Sequence, residues 1–166
     1  MSAPDAAAIA LLRHAVATVA YRGGKAVRGA PASFAEFRSG TGTRTPSQIL
    51  AHVGDLFDWA LGLADGRHVW HDSKPLPWDE EVARFHAALE RFDARLARAQ
   101  QGDDPLGSSP EKLFQGPVAD ALTHIGQINF LRRLATVPVK AENYYKAEIA
   151  AGRVGAEQAK PRMEFE

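Results

Sequence analysis

Apolar residues recur at intervals of three and four along four long stretches of the chain, the spacing of helices that bury one face. In the first stretch Ile9, Leu12, Val16 and Val19 form one stripe, predicting a helix from Pro4 to Tyr21 with Gly23 and Gly24 as its stop. In the second, Ile49, Leu50, Val53, Leu56, Phe57, Ala60 and Leu61 supply a core face. Thr45 suits its N-cap, Pro46 suits the first helical position, where a missing N–H costs nothing, and Gly66 suits its end. Val82, Phe85, Leu89, Phe92 and Leu96 predict a third helix over 79–100, and a fourth runs from near Pro117 to near Thr136, stopped by Pro138. A further short helix is expected around Tyr144–Ala150, and no stretch alternates apolar and polar residues over strand length.

Four helices without strands predict an all-α four-helix bundle. The connection at 23–45 is rich in Gly, Ser, Thr and Arg, with Phe34 and Phe37 available to pin it to the body. Residues 66–77 can reach about 40 Å extended, against ~30 Å for a twenty-residue helix. The second and third helices can therefore run parallel, joined by a long crossover. The turn-rich segment Gly102–Pro110 is expected to be mobile. The chain divides into a bundle over 1–150 and a C-terminal tail over 151–166.

The chain has 166 residues, 20 Lys and Arg, 20 Asp and Glu, and no cysteine. The missing cysteine excludes a disulfide framework, a thiolate zinc site and a thiol nucleophile, so any metal must be held by His, Asp or Glu. Zero net charge argues against a bulk electrostatic grip on nucleic acid or an anionic membrane, and it is compatible with self-association. Arg13 and His14 interrupt the only apolar run in the first thirty residues, which leads to the expectation of a soluble, cytoplasmic protein. Gly40-Thr-Gly42 follows no strand and is too short for a nucleotide fingerprint, and Tyr21-Arg-Gly-Gly-Lys25 lacks the phosphate-loop pattern.

The fourth helix carries the chemistry. With Asp120 as the reference, His124, Gln127, Leu131 and Leu134 all fall within about 40° of it around the axis. The stripe is apolar at its C-terminal half and polar at its N-terminal half. A second stripe, Val118, Leu122, Ile125 and Phe130, reads as buried. Polar groups thus enter the core at one end of the bundle and need partners there. His52 lies one turn from Ile49 and Leu56 on the apolar face of the second helix. Facing helices would bring His52, Asp120 and His124 together as two imidazoles and a carboxylate. Such a set suits zinc, nickel, iron or manganese and leaves coordination positions open, as catalytic sites do. A satisfied buried polar network in a non-catalytic bundle is the alternative reading of the same stripe. Asp55 and Gln127 are placed to support the ligands or touch substrate. Trp59, Trp70 and Trp78 can line a pocket or pack in the core. Asn143 and Tyr144 can fold back over the end of the fourth helix. His68 and His71 fall in the crossover and read as rim or solvated groups.

Ile49-Leu-Ala-His-Val-Gly-Asp-Leu and Ala121-Leu-Thr-His-Ile-Gly-Gln-Ile resemble the second and fourth helices of the DinB-like superfamily, and the order and spacing of the four helices agree with it over about residues 5–150. The resemblance implies a four-helix bundle with a long crossover and a metal site between helices. The family's usual ligands are three histidines; His52 and His124 match the first and last, and Asp120 stands where the middle one is expected. Relatives include bacillithiol transferases and mycothiol-dependent maleylpyruvate isomerases. The resemblance therefore implies a metal-dependent transferase in which zinc or nickel, or else iron or manganese, activates a low-molecular-weight thiol. It also implies a homodimer. With no cysteine in the chain, that thiol would come from a cosubstrate.

Overall fold

Thr45 and Pro46 open a helix as their chemistry requires. The Thr45 hydroxyl accepts the Gln48 N–H, the Gln48 side-chain oxygen accepts the Thr45 N–H, and α2 (Pro46–Ala64) follows. The computed structural model describes residues 6–165, so the expected start of the first helix at Pro4 lies outside the described residues. Within them α1 spans Ala6–Val27, α3 spans Trp78–Gln101 and α5 spans Ala119–Leu134. Gly102, at φ 86°, caps α3 in the left-handed region that glycine tolerates.

Two helix boundaries differ from expectation. α1 continues through Gly23 and Gly24, and Gly23 is there for packing. A Cβ on Gly23 would stand 2.5 Å from Phe85 Cζ, so only a hydrogen lets α1 and α3 approach. The fourth helical stretch begins at Pro110, not Pro117. Its first turn, α4 (Pro110–Leu113), is capped by Ser109, and it runs into α5 through a widened turn at Phe114–Val118. Pro117 lies inside that wide turn; it has no N–H, and an ordinary turn would drive its ring into the carbonyl four residues back.

Pairings across the bundle give its topology. Arg84 reaches Ala51 and Asp55, Arg91 reaches Asp58, and Arg95 reaches Ala64 and Asp65, so α2 and α3 run parallel. Arg13 pairs with Asp93 and Gly23 packs on Phe85, so α1 opposes α3. His52 faces Asp120 while Trp59 lies by Gly116, so α5 opposes α2. The 66–77 connection is therefore a crossover along the bundle. Asp55 fastens it by accepting the Ser73 N–H and hydroxyl, and Glu81 does so by accepting the Leu76 N–H.

Phe57, Phe85, Leu89, Phe92, Leu96 and Ile128 fill the centre, fully buried. Phe34, in a short turn at Ala32–Glu36, is also buried and meets Trp78 edge-on at 5.8 Å between ring centres. Trp78 is thus a core residue. The segment expected to be mobile is tied down: buried Arg95 donates to the carbonyls of Ala64, Asp104 and Pro105, the Gly107 N–H reaches Ala64, and Leu106 is buried. Phe130, expected inside, is 62% exposed, and Leu134 also faces solvent.

Beyond α5 the expected helix at 144–150 is a single tight turn, Tyr144–Lys146. The chain also forms a two-residue strand pair that hydropathy does not signal: β1 (Ala141–Glu142) runs antiparallel to β2 (Glu164–Phe165). Lys25 of α1 donates to Glu142 at 2.7 Å and to Glu164 at 3.1 Å, and the Tyr21 hydroxyl donates to Glu142 at 2.6 Å. Val154 is buried in the bundle core. Among the described residues no helix is long and apolar enough to cross a membrane.

Candidate metal centre

His52 sits midway along α2, its ring edge-on to His124 at 4.6 Å and to Trp70 of the crossover at 5.5 Å between ring centres. Its Nε2 lies 3.5 Å from Asp120 Oδ2, and Nε2 of His124 lies 3.4 Å from Asp120 Oδ1. The two imidazoles are largely covered, at 19% and 13% side-chain exposure, while the carboxylate is 46% exposed. Asp120 is therefore not the buried charge its place on the stripe suggests. It stands at the mouth, between the two rings and solvent.

The second nitrogen of His124 settles which face of the ring is free. Nδ1 lies 2.8 Å from Gln127 Oε1, an acceptor, so Nδ1 carries the proton and donates it. Nε2 then faces Asp120 Oδ1 at 3.4 Å. A proton or a metal cation between that nitrogen and the carboxylate would join them. Burial pushes the His52 pKa below the usual imidazole value; the neighbouring His124 and Arg44 push the same way, and the Asp120 contact only partly offsets them. His52 is thereby kept in the neutral form that binds metals.

The donor set fits a divalent transition ion. Ligands about 2.1 Å from a tetrahedral ion stand ~3.4 Å apart, and each imidazole Nε2 lies 3.4 or 3.5 Å from its own carboxylate oxygen of Asp120. The ligand atoms of His52, Asp120 and His124 all lie within 4.8 Å of one another. Each imidazole faces a different carboxylate oxygen, so Asp120 offers both. Asp55, Asp58 and His71 are also mutually close, but Asp55 and Asp58 share the Arg84 guanidinium and Asp58 also takes that of Arg91, so both carboxylates are already paired.

The other candidate residues divide clearly. Gln127 is bound to His124. Asp55, one turn from His52, is buried and bonded to Ser73 and Arg84, holding the crossover in place. Trp59 lies beside the site through its edge contact with Trp70, at 5.8 Å between ring centres, and its indole N–H is buried without a partner. Asn143 and Tyr144 are taken up elsewhere. Asn143 caps the turn that follows it, and Tyr144 packs on Tyr21 and under the Arg22 guanidinium of α1. His68 stacks on Trp59, and His71 is mostly exposed.

A cleft of about 400 Å³ opens next to His124, lined by Ser39, Thr43, Arg44, Ile49, Gln127, Phe130 and Leu131. Arg44 and Phe130 had no functional signal in the sequence. Arg44 lies in a Gly- and Thr-rich loop with no periodicity, and Phe130 reads as core. Comparison with family models, with curated proteins and with solved structures gives no match for this chain. Fold and site together define an all-α bundle with a His/Asp/His group able to hold a metal.

Proposed function

We propose that this protein is a DinB-like metalloprotein that holds a zinc- or nickel-type ion at His52, Asp120 and His124 and uses it in transferase chemistry on a small molecule. The observation that carries the reading is the convergence of two imidazole nitrogens and a carboxylate within 4.8 Å of one another, with one imidazole already oriented from behind by Gln127. Bound there, the ion would lower the pKa of a low-molecular-weight thiol and so supply a nucleophile in a chain that has no cysteine of its own. The protein's part is to hold and to shield. Gln127 fixes the His124 tautomer, Trp70 covers His52, and Asp120 is open to solvent. Three protein ligands leave room for an exogenous one.

A second reading, a non-catalytic homodimeric bundle, draws support from an apolar groove formed by Ala8, Leu11, Leu12, Ala15 and Phe114, where Leu11 and Phe114 are exposed. Titration of tag-free, chelator-treated protein with Zn²⁺ and Ni²⁺ by calorimetry separates the two. The metal reading expects one equivalent bound by the wild type and none by His124→Ala. A wild type that binds neither ion and gains no thermal stability from them overturns it.

A further inference from the structure

Arg44 is held where a ligand would meet it. The loop before it is a fixed turn: the Arg38 guanidinium donates to the Thr43 carbonyl at 2.8 Å, the Thr43 hydroxyl donates to the Gly40 carbonyl at 2.8 Å, and Gly42 takes φ 76°. Arg44 follows directly and precedes the Thr45 cap of α2, so its backbone is anchored on both sides. Its own guanidinium is exposed and forms no ion pair or hydrogen bond among the described residues. Arg84 and Arg95, by contrast, are engaged with carboxylates and carbonyls. Arg44 lines the cleft beside His124, and its charge is felt at His52. The same cleft is lined by the apolar Ile49, Leu131 and exposed Phe130, and by the polar Ser39 and Thr43.

A free guanidinium in a cleft with an apolar lining calls for a ligand with an anionic end and an apolar body. One guanidinium balances one negative charge. In the ion-free protein the half-exposed Asp120 carboxylate beside His124 disfavours a second, which favours a carboxylate over a phosphate dianion. We propose that the cleft binds a small aromatic or aliphatic monocarboxylate, its carboxylate on Arg44 and its apolar body against Ile49, Phe130 and Leu131. The placement brings the far end of the ligand alongside His124. The inference deepens the metal reading by naming the substrate class of that site, and it rests on that reading only for what happens at the far end.

The test is binding of 3-phenylpropanoate, 3-phenylpropanamide and phenyl phosphate to chelator-treated protein, read by calorimetry or ligand-detected NMR, with Zn²⁺ binding measured on the same samples. Chelator treatment prevents the carboxylate from simply coordinating an ion. The expected result is that the carboxylate binds, the amide binds about tenfold or more weakly, and Arg44→Gln weakens the carboxylate by about ten- to hundredfold, as loss of a charged hydrogen-bond pair does. Arg44→Lys should retain part of the affinity, and both variants should still bind one equivalent of Zn²⁺. Equal binding of acid and amide, or of wild type and Arg44→Gln, overturns the inference and leaves the metal reading standing. Tighter binding of phenyl phosphate overturns the carboxylate assignment. Arg44-dependent carboxylate binding in a protein that takes up no Zn²⁺ upholds the inference and sinks the metal reading.

Discussion

His124 is gripped from behind and open in front. Gln127 accepts its Nδ1 proton at 2.8 Å, which turns Nε2 toward Asp120. Gln127→Ala removes that acceptor without touching a ligand atom. The ring can then turn or change tautomer, and Zn²⁺ affinity measured by competition with a chromophoric chelator should fall about tenfold or more. Asp120, His124 and Gln127 are legible in the sequence because spacings of four and three put them on one helical face. Arg44 is not, since its role exists only because α5 lines the same cleft, and nothing within its own loop reports that. Phe130 shows the converse error. The helical period correctly placed it beside apolar neighbours, but period alone cannot say whether a cleft opens there, and the ring is left 62% exposed.

Among the elements, α1 is the one whose extent the local sequence misstates. A Gly-Gly pair is an ordinary helix stop, yet here the small size of Gly23 is used sideways, against Phe85 and Ile125. That use depends on residues some sixty and a hundred positions away, beyond the reach of any local rule. Gly23→Ala should therefore destabilise the protein even though alanine is the better helix former. With Phe85 fully buried and unable to retreat, a loss of about 1–3 kcal/mol in denaturant unfolding is expected. The start of α2 is the opposite case. Thr45, Pro46 and Gln48 are neighbours in sequence, so the cap they build can be read directly from it. The crossover was also foreseeable, because a connection able to outreach a helix permits a parallel pair. Its fastening by Asp55, Ser73, Arg84 and Glu81 was not, since each contact links different elements.

At the scale of the whole molecule, His86 on α3 ties the last stretch of chain to the bundle. It is buried and donates from Nδ1 to the Val154 carbonyl at 3.4 Å, with Glu90 and Arg28 as its charged neighbours. Burial pushes its pKa down, as it does that of His52. An unfolded chain therefore takes up these protons before the folded one does. Stability should be fully present above about pH 6.5, decline as the pH drops below it, and level off beneath the folded-state values. Asp55 and Asp65, held below the ordinary carboxylate range, Asp55 by its bonds to Ser73 and Arg84 and Asp65 by Arg95, add a second decline in stronger acid. Thermal unfolding followed across pH should show the first decline reduced in His86→Gln, which can keep the bond to Val154 without titrating.

The crossover also lengthens the path of chain between the two halves of the metal group. Because α2 and α3 run the same way, α2 meets α5 only after the chain has passed along the bundle twice more. His52 and Asp120 are separated by roughly seventy residues of intervening chain, and closing a loop of that length costs entropy before any contact repays it. An ion held between them would span that loop as a cross-link does, tying the early half of the chain to the late half. The same group that offers chemistry at the cleft would then also act as a fastening of the fold.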